Sequence, residues 1–118
     1  MSTPNRRRAT RHITCVPAGV QTPENDAVGL MRDASTTGAL VFCRNKFALD
    51  EAVSLQIRID ASDERDVAVK GKIVRVERLL DGFWTFKLGV SFNPERDDLA
   101  GLFASLAERQ ERLFGTSA

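Results

Sequence analysis

The chain has 118 residues and a formal net charge of +1 at pH 7, with 42% hydrophobic and 28% charged residues. This length and composition predict one ordinary globular domain and leave no room for a second domain. Because the chain has no run of about 18 apolar residues, and its N-terminal end lacks the apolar centre of a secretory signal, we expect no membrane insertion and a cytoplasmic location.

The N-terminal end is polar and locally basic. Residues 1–5 are predicted to be disordered, and four arginines follow within a few positions, namely Arg6, Arg7, Arg8 and Arg11. Arginine presents a planar fork of donors that suits phosphate oxygens and the O6/N7 edge of guanine. The run therefore indicates either planar, bidentate recognition of such groups or, as charge runs usually are, a solvated tail.

Short strands are predicted next. A first strand is expected from Arg11 to about Pro17, with Ile13 and Cys15 sharing one face. Residues 17–26 are rich in Pro, Gly, Asn and Asp, which predicts an irregular connection with at most a brief strand at residues 20–22.

Two further strands are expected on either side of a small, polar segment. The second strand begins at residues 27–31, residues 33–38 interrupt the apolar run, and residues 39–43 resume it, which fits a tight corner between two strands. Apolar and polar side chains then alternate over residues 53–59, as in a strand with one face toward a core.

The following segment predicts a long hairpin. A polar turn at residues 60–66 leads into a strand over 67–78, where the apolar phase changes close to Gly71 and indicates a bulge or bend. Asp81-Gly82 is a hairpin turn signal. The last strand alternates after it, and the face that carries its apolar residues should be the most heavily buried in the fold; these residues are Trp84, Phe86, Leu88, Val90 and Phe92.

One amphipathic helix is predicted at the end of the chain. Asn93 and Pro94 suit an N-cap and a first helical turn, and Gly115 is placed to end the helix. The apolar residues at helical spacing are Leu99, Leu102, Phe103, Leu106 and Leu113. The order of elements predicts an all-β fold, a small antiparallel barrel of about six strands whose opening or flank is covered by a C-terminal helix.

Neither cysteine has the spacing of a metal site or of a redox motif. Cys15 and Cys43 both fall in predicted strands, so we expect buried, reduced thiols, while a disulfide between them remains open.

Two short motifs carry the functional prediction. They are Arg7-x-x-x-Arg11 and, 22 positions after Arg11, Asp33-x-Ser35-x-x-Gly38. Either motif alone is uninformative, since the second is built from ordinary turn residues. Their order, their separation and the barrel-like context together resemble the two-part signature of PilZ domains, the bacterial receptors for the dinucleotide second messenger cyclic di-GMP.

The resemblance covers most of the chain. It extends through a strand-rich middle to the strand end at residues 89–92 and the helix that follows. It implies a single PilZ-like domain over residues 6–113, preceded by a disordered N-terminus at 1–5 and followed by a tail at 114–118.

The resemblance also implies roles for the arginines. Arg7 and Arg11 would bind phosphate oxygens and guanine O6/N7, and Arg6 could add a phosphate contact or a stacking plane. Because residues 4–12 have almost no apolar surface and carry several like charges, their composition predicts that they are mobile without cyclic di-GMP and ordered with it. The arginines would neutralise the phosphates, so no metal and no other cofactor is expected.

In the second motif, Asp33 would accept hydrogen bonds from guanine N1-H and N2-H2. Ser35 would bind phosphate, directly or through water, and Gly38 would allow a close backbone approach or a positive φ. The chain departs from the family pattern at Ala34, where a larger apolar residue is common, and at Thr37, where a second glycine is common. Neither departure removes a ligand-contacting residue type.

Other functions have less support in the sequence. With one histidine, His12, no tyrosine and no nucleophile beside an oriented base, no enzymatic activity is expected, and the acidic clusters at residues 60–66 and 97–98 predict solvated segments rather than a metal site. A barrel that binds RNA or single-stranded DNA would need exposed aromatic platforms, and the aromatic residues of the last strand are assigned to the core.

A PilZ adaptor that binds no ligand is the remaining alternative, but members of that kind lack the arginine motif. The predicted partners are therefore cyclic di-GMP and an unidentified downstream protein, with an output such as motility, exopolysaccharide, pili or virulence. We expect no DNA or RNA partner. The chain could be a monomer or a dimer.

Overall fold

The structure is a computed structural model that describes residues 10–60 and 65–114. This part of the chain forms six strands and one helix. They are β1 (His12–Gln21), β2 (Asp26–Ser35), β3 (Gly38–Cys43), β4 (Ala52–Asp60), β5 (Arg65–Arg78), β6 (Phe86–Phe92) and α1 (Ala100–Phe114), with a 3₁₀ turn at Asp97–Leu99 before the helix. Among these residues, no helix has the length and apolar character needed to cross a bilayer.

The strands close into an antiparallel barrel in the order β1-β2-β3-β6-β5-β4. Every strand therefore hydrogen-bonds to a neighbour on each side, and β1 closes the barrel by pairing with both β2 and β4. The predicted fold, an antiparallel barrel of about six strands with a C-terminal helix, is confirmed.

The core fills the barrel and continues under α1. Alternation along β4 sends Leu55 and Ile57 inward, where both are fully buried, as the sequence predicted for this strand. The helix adds Phe103 and Leu106, and the ring of Phe103 lies 6.4 Å from that of Phe92 in β6. The helix thus contributes directly to the core beside the barrel.

The first strand is longer than predicted. It runs from His12 to Gln21, so the irregular connection expected over 17–26 is wrong, and only residues 22–25 join β1 to β2. Pro17 lies where β1 has β2 as its one strand neighbour, and a missing N–H is tolerated there. Proline and glycine therefore misled the prediction in this segment.

A β-bulge disrupts the alternation expected at the start of β1. The register with β2 shifts between Ile13 and Val16, and Cys15 takes a positive φ of 46°. Thr14 is buried and donates its hydroxyl to the Met31 carbonyl at 3.0 Å, whereas Ile13 is 49% exposed. The sequence carries no glycine at this point, so nothing in it indicated the bulge.

Both cysteines are free thiols. The expectation of a buried thiol holds for Cys43 but is wrong for Cys15, which is half-buried beside the bulge. Burial raises the pKa of the Cys43 thiol, which also donates a hydrogen bond to the Asn45 carbonyl at 3.2 Å.

Trp84 is the main error in the predicted core. It lies in the connection between β5 and β6, residues 79–85, is partly exposed, and meets Phe83 edge-on at 4.8 Å. The Asp81-Gly82 signal does mark this turn, since Gly82 has a φ of 94°, but the loop is longer than a two-residue hairpin and keeps Trp84 out of the strand.

The remaining predicted strands and the helix are present with shifted bounds, but the predicted start of the helix is wrong. The phase change in β5 is a bulge, since the register with β6 shifts between Ile73 and Arg75, slightly beyond Gly71. Asn93 is not the N-cap of the helix, because the 3₁₀ turn follows Arg96 and α1 begins only at Ala100.

Candidate functional site

The two predicted motifs meet through an ion pair. Arg11 lies directly before β1, and its Nη1 donates to Oδ1 of Asp33 in β2 at 2.5 Å. The Asp33 side chain is 9% exposed and that of Arg11 is 56% exposed. A buried carboxylate is costly unless a charged donor compensates it, so Arg11 supplies the counter-charge that Asp33 needs.

A bulge in β2 sets the direction of Asp33. The register with β3 shifts between Met31 and Asp33, which leaves Arg32 as an extra residue. Met31 and Ala34 both belong to the core, so Asp33 faces the outer side of the barrel. Without the extra residue, strict alternation would place Asp33 on the same face as Met31.

The side chain of Ser35 hydrogen-bonds within the turn that follows it. Its Oγ lies 3.0 Å from Thr37 Oγ1 and accepts a hydrogen bond from the Thr37 backbone N–H at 3.2 Å. Ser35 is 2% exposed. These contacts form a local serine turn, so the hydroxyl fixes the corner between β2 and β3.

The backbone of the β2–β3 corner is tied to the other end of the chain. Thr36 accepts a hydrogen bond from the Arg96 N–H, and Thr37 accepts one from the Phe92 N–H, both at 2.9 Å. The Arg96 side chain in turn binds Asp98 at 2.9 Å and lowers the pKa of that carboxyl. The corner is therefore held by β6 and by the segment that leads into α1.

Gly38 has a structural role in addition to any contact with a ligand. It opens β3 opposite Ser91 of β6, and a Cβ at this position would lie 2.4 Å from the Val90 carbonyl oxygen. The alternative of a positive φ at Gly38 is wrong, since Gly82 is the glycine with a positive φ among the described residues. The close backbone approach at Gly38 in this structure is to β6, and a close approach to a ligand stays a prediction.

A groove of about 240 Å³ crosses the outer face of the barrel next to this corner. Its wall includes two predicted residues, Arg11 and Gly38, and residues that sequence analysis did not single out as site residues, among them Thr37, Arg75, Gly89 and Ser91. Asp33 and Ser35 do not line it; both are buried, with Asp33 paired to Arg11 and Ser35 bonded to Thr37. The strand-end motif at residues 89–92 was the available signal for the β6 side.

A larger cavity, of about 610 Å³, lies between the start of β1 and the outer face of α1. Arg11, His12 and Ile13 line one side, and the other side includes Ala104 and Glu108. Arg11 borders both cavities. The groove remains the better candidate site because it also contains Gly38 and adjoins the buried Asp33.

Several predicted features lie outside the described residues. Arg6 and Arg7 fall in this category, as do most of the acidic turn at residues 60–66 and the end of the chain after residue 114. Within residues 10–60 and 65–114, no three His, Cys, Asp or Glu side chains are grouped so that they could hold a metal ion.

Comparison with known proteins decides the family. A model of the PilZ domain matches residues 5–108, which include both arginines of the first motif and all of the second. The chain belongs to the PilZ domain family. No curated protein matches its sequence at a significant level.

Two solved structures share the fold of this PilZ domain. The PilZ domain of YcgR from Escherichia coli, solved with c-di-GMP, aligns with a TM-score of 0.64 and 14% identity over 96% of this chain and 99% of that chain. The Bacillus subtilis inhibitor of motility MotI/DgrA aligns with a TM-score of 0.67 and 16% identity over 92% of this chain. The match covers 52% of the Bacillus chain, so the present chain spans about half its length.

Proposed function

We propose that this PilZ domain is a non-enzymatic receptor for cyclic di-GMP. The observation that carries the proposal is the Arg11–Asp33 ion pair, which joins the two halves of the motif beside an open groove. Membership of the PilZ family and the fold shared with the YcgR domain solved with c-di-GMP support the same ligand.

Each part of the ligand has a chemically suitable partner. Arg7 and Arg11 bind phosphate oxygens and guanine O6/N7, and Arg6 adds a further phosphate or stacking contact. Asp33 accepts hydrogen bonds from guanine N1-H and N2-H2. Because Arg11 already donates to Oδ1 of Asp33, guanine binds either through Oδ2 or after Arg11 has moved away. Gly38 adds no side chain to the floor of the groove, which leaves room for the ligand. Ser35 stabilises the corner between β2 and β3 or contacts the ligand through water.

Signalling follows from the position of the arginines. They precede β1, whose pairing with β2 and β4 anchors the chain from His12 onward. A bound dianion attracts the arginines over the groove, and the surface made by barrel, ligand and arginine segment is then read by a partner protein. The output is a protein contact, and the cytoplasmic location expected from the sequence is compatible with it.

Calorimetric titration with cyclic di-GMP tests the proposal. Wild type should bind without added metal, and Arg11→Ala should weaken binding at least tenfold, because one charge-assisted hydrogen bond contributes about 1.5–3 kcal/mol. Arg58→Ala is the matched control, since Arg58 also binds an aspartate, Asp66, at 3.2 Å and lines neither cavity. Equal affinities for all three proteins would refute the assignment.

The same titration separates the alternatives. A folded wild-type domain that does not bind cyclic di-GMP would be an adaptor without a ligand. A single-stranded oligonucleotide tests the nucleic-acid alternative, which the structure makes worth including because Phe83 is 66% exposed and has Arg44 over its ring at 4.8 Å. We expect no oligonucleotide binding, since Phe83 is the exposed aromatic residue among the side chains that the structure describes, and no aromatic residue lines the groove beside Arg11.

A further inference from the structure

A row of cross-strand neighbours connects Asp33 to an arginine on the far side of the groove. In the strand registers, Asp33 pairs with Leu40, Leu40 with Gly89, and Gly89 with Arg75. The row thus crosses β2, β3, β6 and β5. Since neighbouring strands lie about 4.8 Å apart, the backbones of Asp33 and Arg75 are roughly 14 Å apart along this surface.

The middle of this row is apolar and has little side-chain volume. Gly89 has no side chain, and a Cβ there would lie 3.1 Å from the Cβ of Arg75. Leu40 is partly exposed beside it and lines the same groove. A planar group can therefore lie over Leu40 and Gly89 between the two charged ends of the row.

The bulge in β5 sets the position of Arg75. The register with β6 shifts between Ile73 and Arg75, so Val74 is the extra residue. Ile73 is fully buried, and the shift places Arg75 opposite Gly89 in the wall of the groove. Bulges commonly redirect a side chain in this way near functional sites.

The side chain of Arg75 is exposed, and it makes neither a hydrogen bond nor an ion pair with residues 10–60 and 65–114. Three other arginines are differently placed, since Arg11, Arg58 and Arg96 each bind an aspartate. A guanidinium in the wall of a groove, with no carboxylate partner among the described residues, can bind an anion or a base edge without first breaking a contact to them.

We propose that Arg75 reads the second guanine of the ligand. This inference rests on the proposed function: one guanine of cyclic di-GMP is bound at Asp33, and Arg75 donates its planar fork to the O6 and N7 atoms of the other. Guanine offers two acceptors on this edge, whereas adenine offers N7 beside an N6 donor. Arg75 therefore confers specificity for a guanine at the end of the groove opposite Asp33.

The test compares cyclic di-GMP with the mixed dinucleotide cyclic GMP-AMP, by calorimetry on the full chain. Wild type should bind cyclic di-GMP more tightly than cyclic GMP-AMP. Arg75→Ala should weaken the binding of cyclic di-GMP about tenfold or more and reduce the difference in affinity between the two dinucleotides. Arg75→Lys should keep part of the affinity but lose the preference, because a lysine cannot donate a planar fork. Arg78→Ala is the control, since Arg78 is exposed on the same strand and does not line the groove.

The outcomes distinguish this inference from the proposed function. If Arg11→Ala loses binding while Arg75→Ala binds both dinucleotides as wild type does, Arg75 is not part of the site and the receptor function stands. If wild type binds neither dinucleotide, the proposed receptor function is wrong, and so is the role proposed for Arg75. Gly89→Ala should weaken binding with circular dichroism unchanged, since the added methyl group crowds Arg75, and undiminished affinity in that variant would also count against the role.

Discussion

Arg11 donates to the one carboxylate, Asp33, that the motif assigns to guanine recognition. The pair links the residue before the first strand to the second strand, and it spans 22 positions of sequence. Because Asp33 is buried, the loss of Arg11 leaves a charge without its compensating donor. The proposed binding motif therefore also makes a structural contact of the barrel.

The first prediction concerns the stability contributed by this pair. A double-mutant cycle with Arg11→Ala and Asp33→Ala should give a coupling of about 1 kcal/mol in the free energy of unfolding, because one partner is buried and the other is half-exposed. Urea unfolding measures it. The matched cycle at Arg58 and Asp66, whose side chains are 44% and 37% exposed, should give a coupling of about 0.5 kcal/mol or less. A larger value at the control pair would contradict the role given to burial.

The second prediction concerns base specificity. Cyclic di-AMP should bind much more weakly than cyclic di-GMP, because adenine turns an acceptor, N1, toward the Asp33 carboxylate where guanine has a donor. Calorimetry with both dinucleotides measures the difference. Asp33→Asn should narrow it, since an amide can offer either a donor or an acceptor. Similar affinities of wild type for the two ligands would make Asp33 a purely structural residue.

The third prediction separates packing from ligand contact at Gly38. Gly38→Ala should lower the free energy of unfolding by about 1–3 kcal/mol even without ligand, because its Cβ would collide with the Val90 carbonyl oxygen. Gly101→Ala is the control in α1, where an added Cβ meets nothing within 4 Å. That change should raise stability by up to about 1 kcal/mol. Thermal and urea unfolding compare the two variants, and an unaffected Gly38→Ala protein would mean that β3 and β6 can separate freely here.

The fourth prediction concerns the N-terminal segment. Amide hydrogen exchange at residues 4–12 should slow when cyclic di-GMP binds, because the arginines gain a dianionic partner. Exchange in the core of β4, around Leu55, should change little beyond the general stabilisation by ligand and serves as the internal control. Protection of residues 4–12 that is already high without ligand, or that fails to rise, would show that this segment does not act as the switch.

The fifth prediction concerns the two thiols. Near pH 8, Cys15 should react with a thiol reagent before Cys43, because Cys15 is half-buried and burial raises the pKa of Cys43. Unfolding returns the Cys43 thiol to its ordinary pKa, so the folded protein holds the thiol proton more tightly than the unfolded chain does. The stabilisation that comes from this difference in pKa is fully present below the ordinary thiol pKa and is lost as pH rises through the raised pKa of the folded state. Labelling of Cys15→Ser, which retains only Cys43, should be slow in buffer and fast in urea. Rapid labelling in buffer would show that the barrel opens at Cys43.

The sequence predicted the architecture because alternation and helical spacing are local patterns. Residues 53–59 and the helix residues Phe103 and Leu106 show such patterns, and the corresponding elements are present. Trp84 fitted the same pattern but lies in a loop, because the length of the β5–β6 turn depends on pairing between strands and not on the Asp81-Gly82 dipeptide alone.

The site was only partly predictable for a related reason. The motif proposes Arg11, Asp33, Ser35 and Gly38 as site residues, yet its spacing does not reveal that Arg11 is paired with Asp33. That contact depends on the bulges in β1 and β2, which carry no glycine at Cys15 or Arg32. Arg75 was not found because its place opposite Gly89 exists only once β5 and β6 are in register.

Closure of the barrel restricts how another protein can recognise this domain. Each of the six strands already has a partner on both sides, so none offers a full-length free edge to which a foreign strand could be added. Backbone-mediated docking of that kind is general and tolerates many sequences. A protein that binds over the paired part of the barrel recognises side chains, so its binding is sensitive to individual surface substitutions, and related domains can then serve different partners.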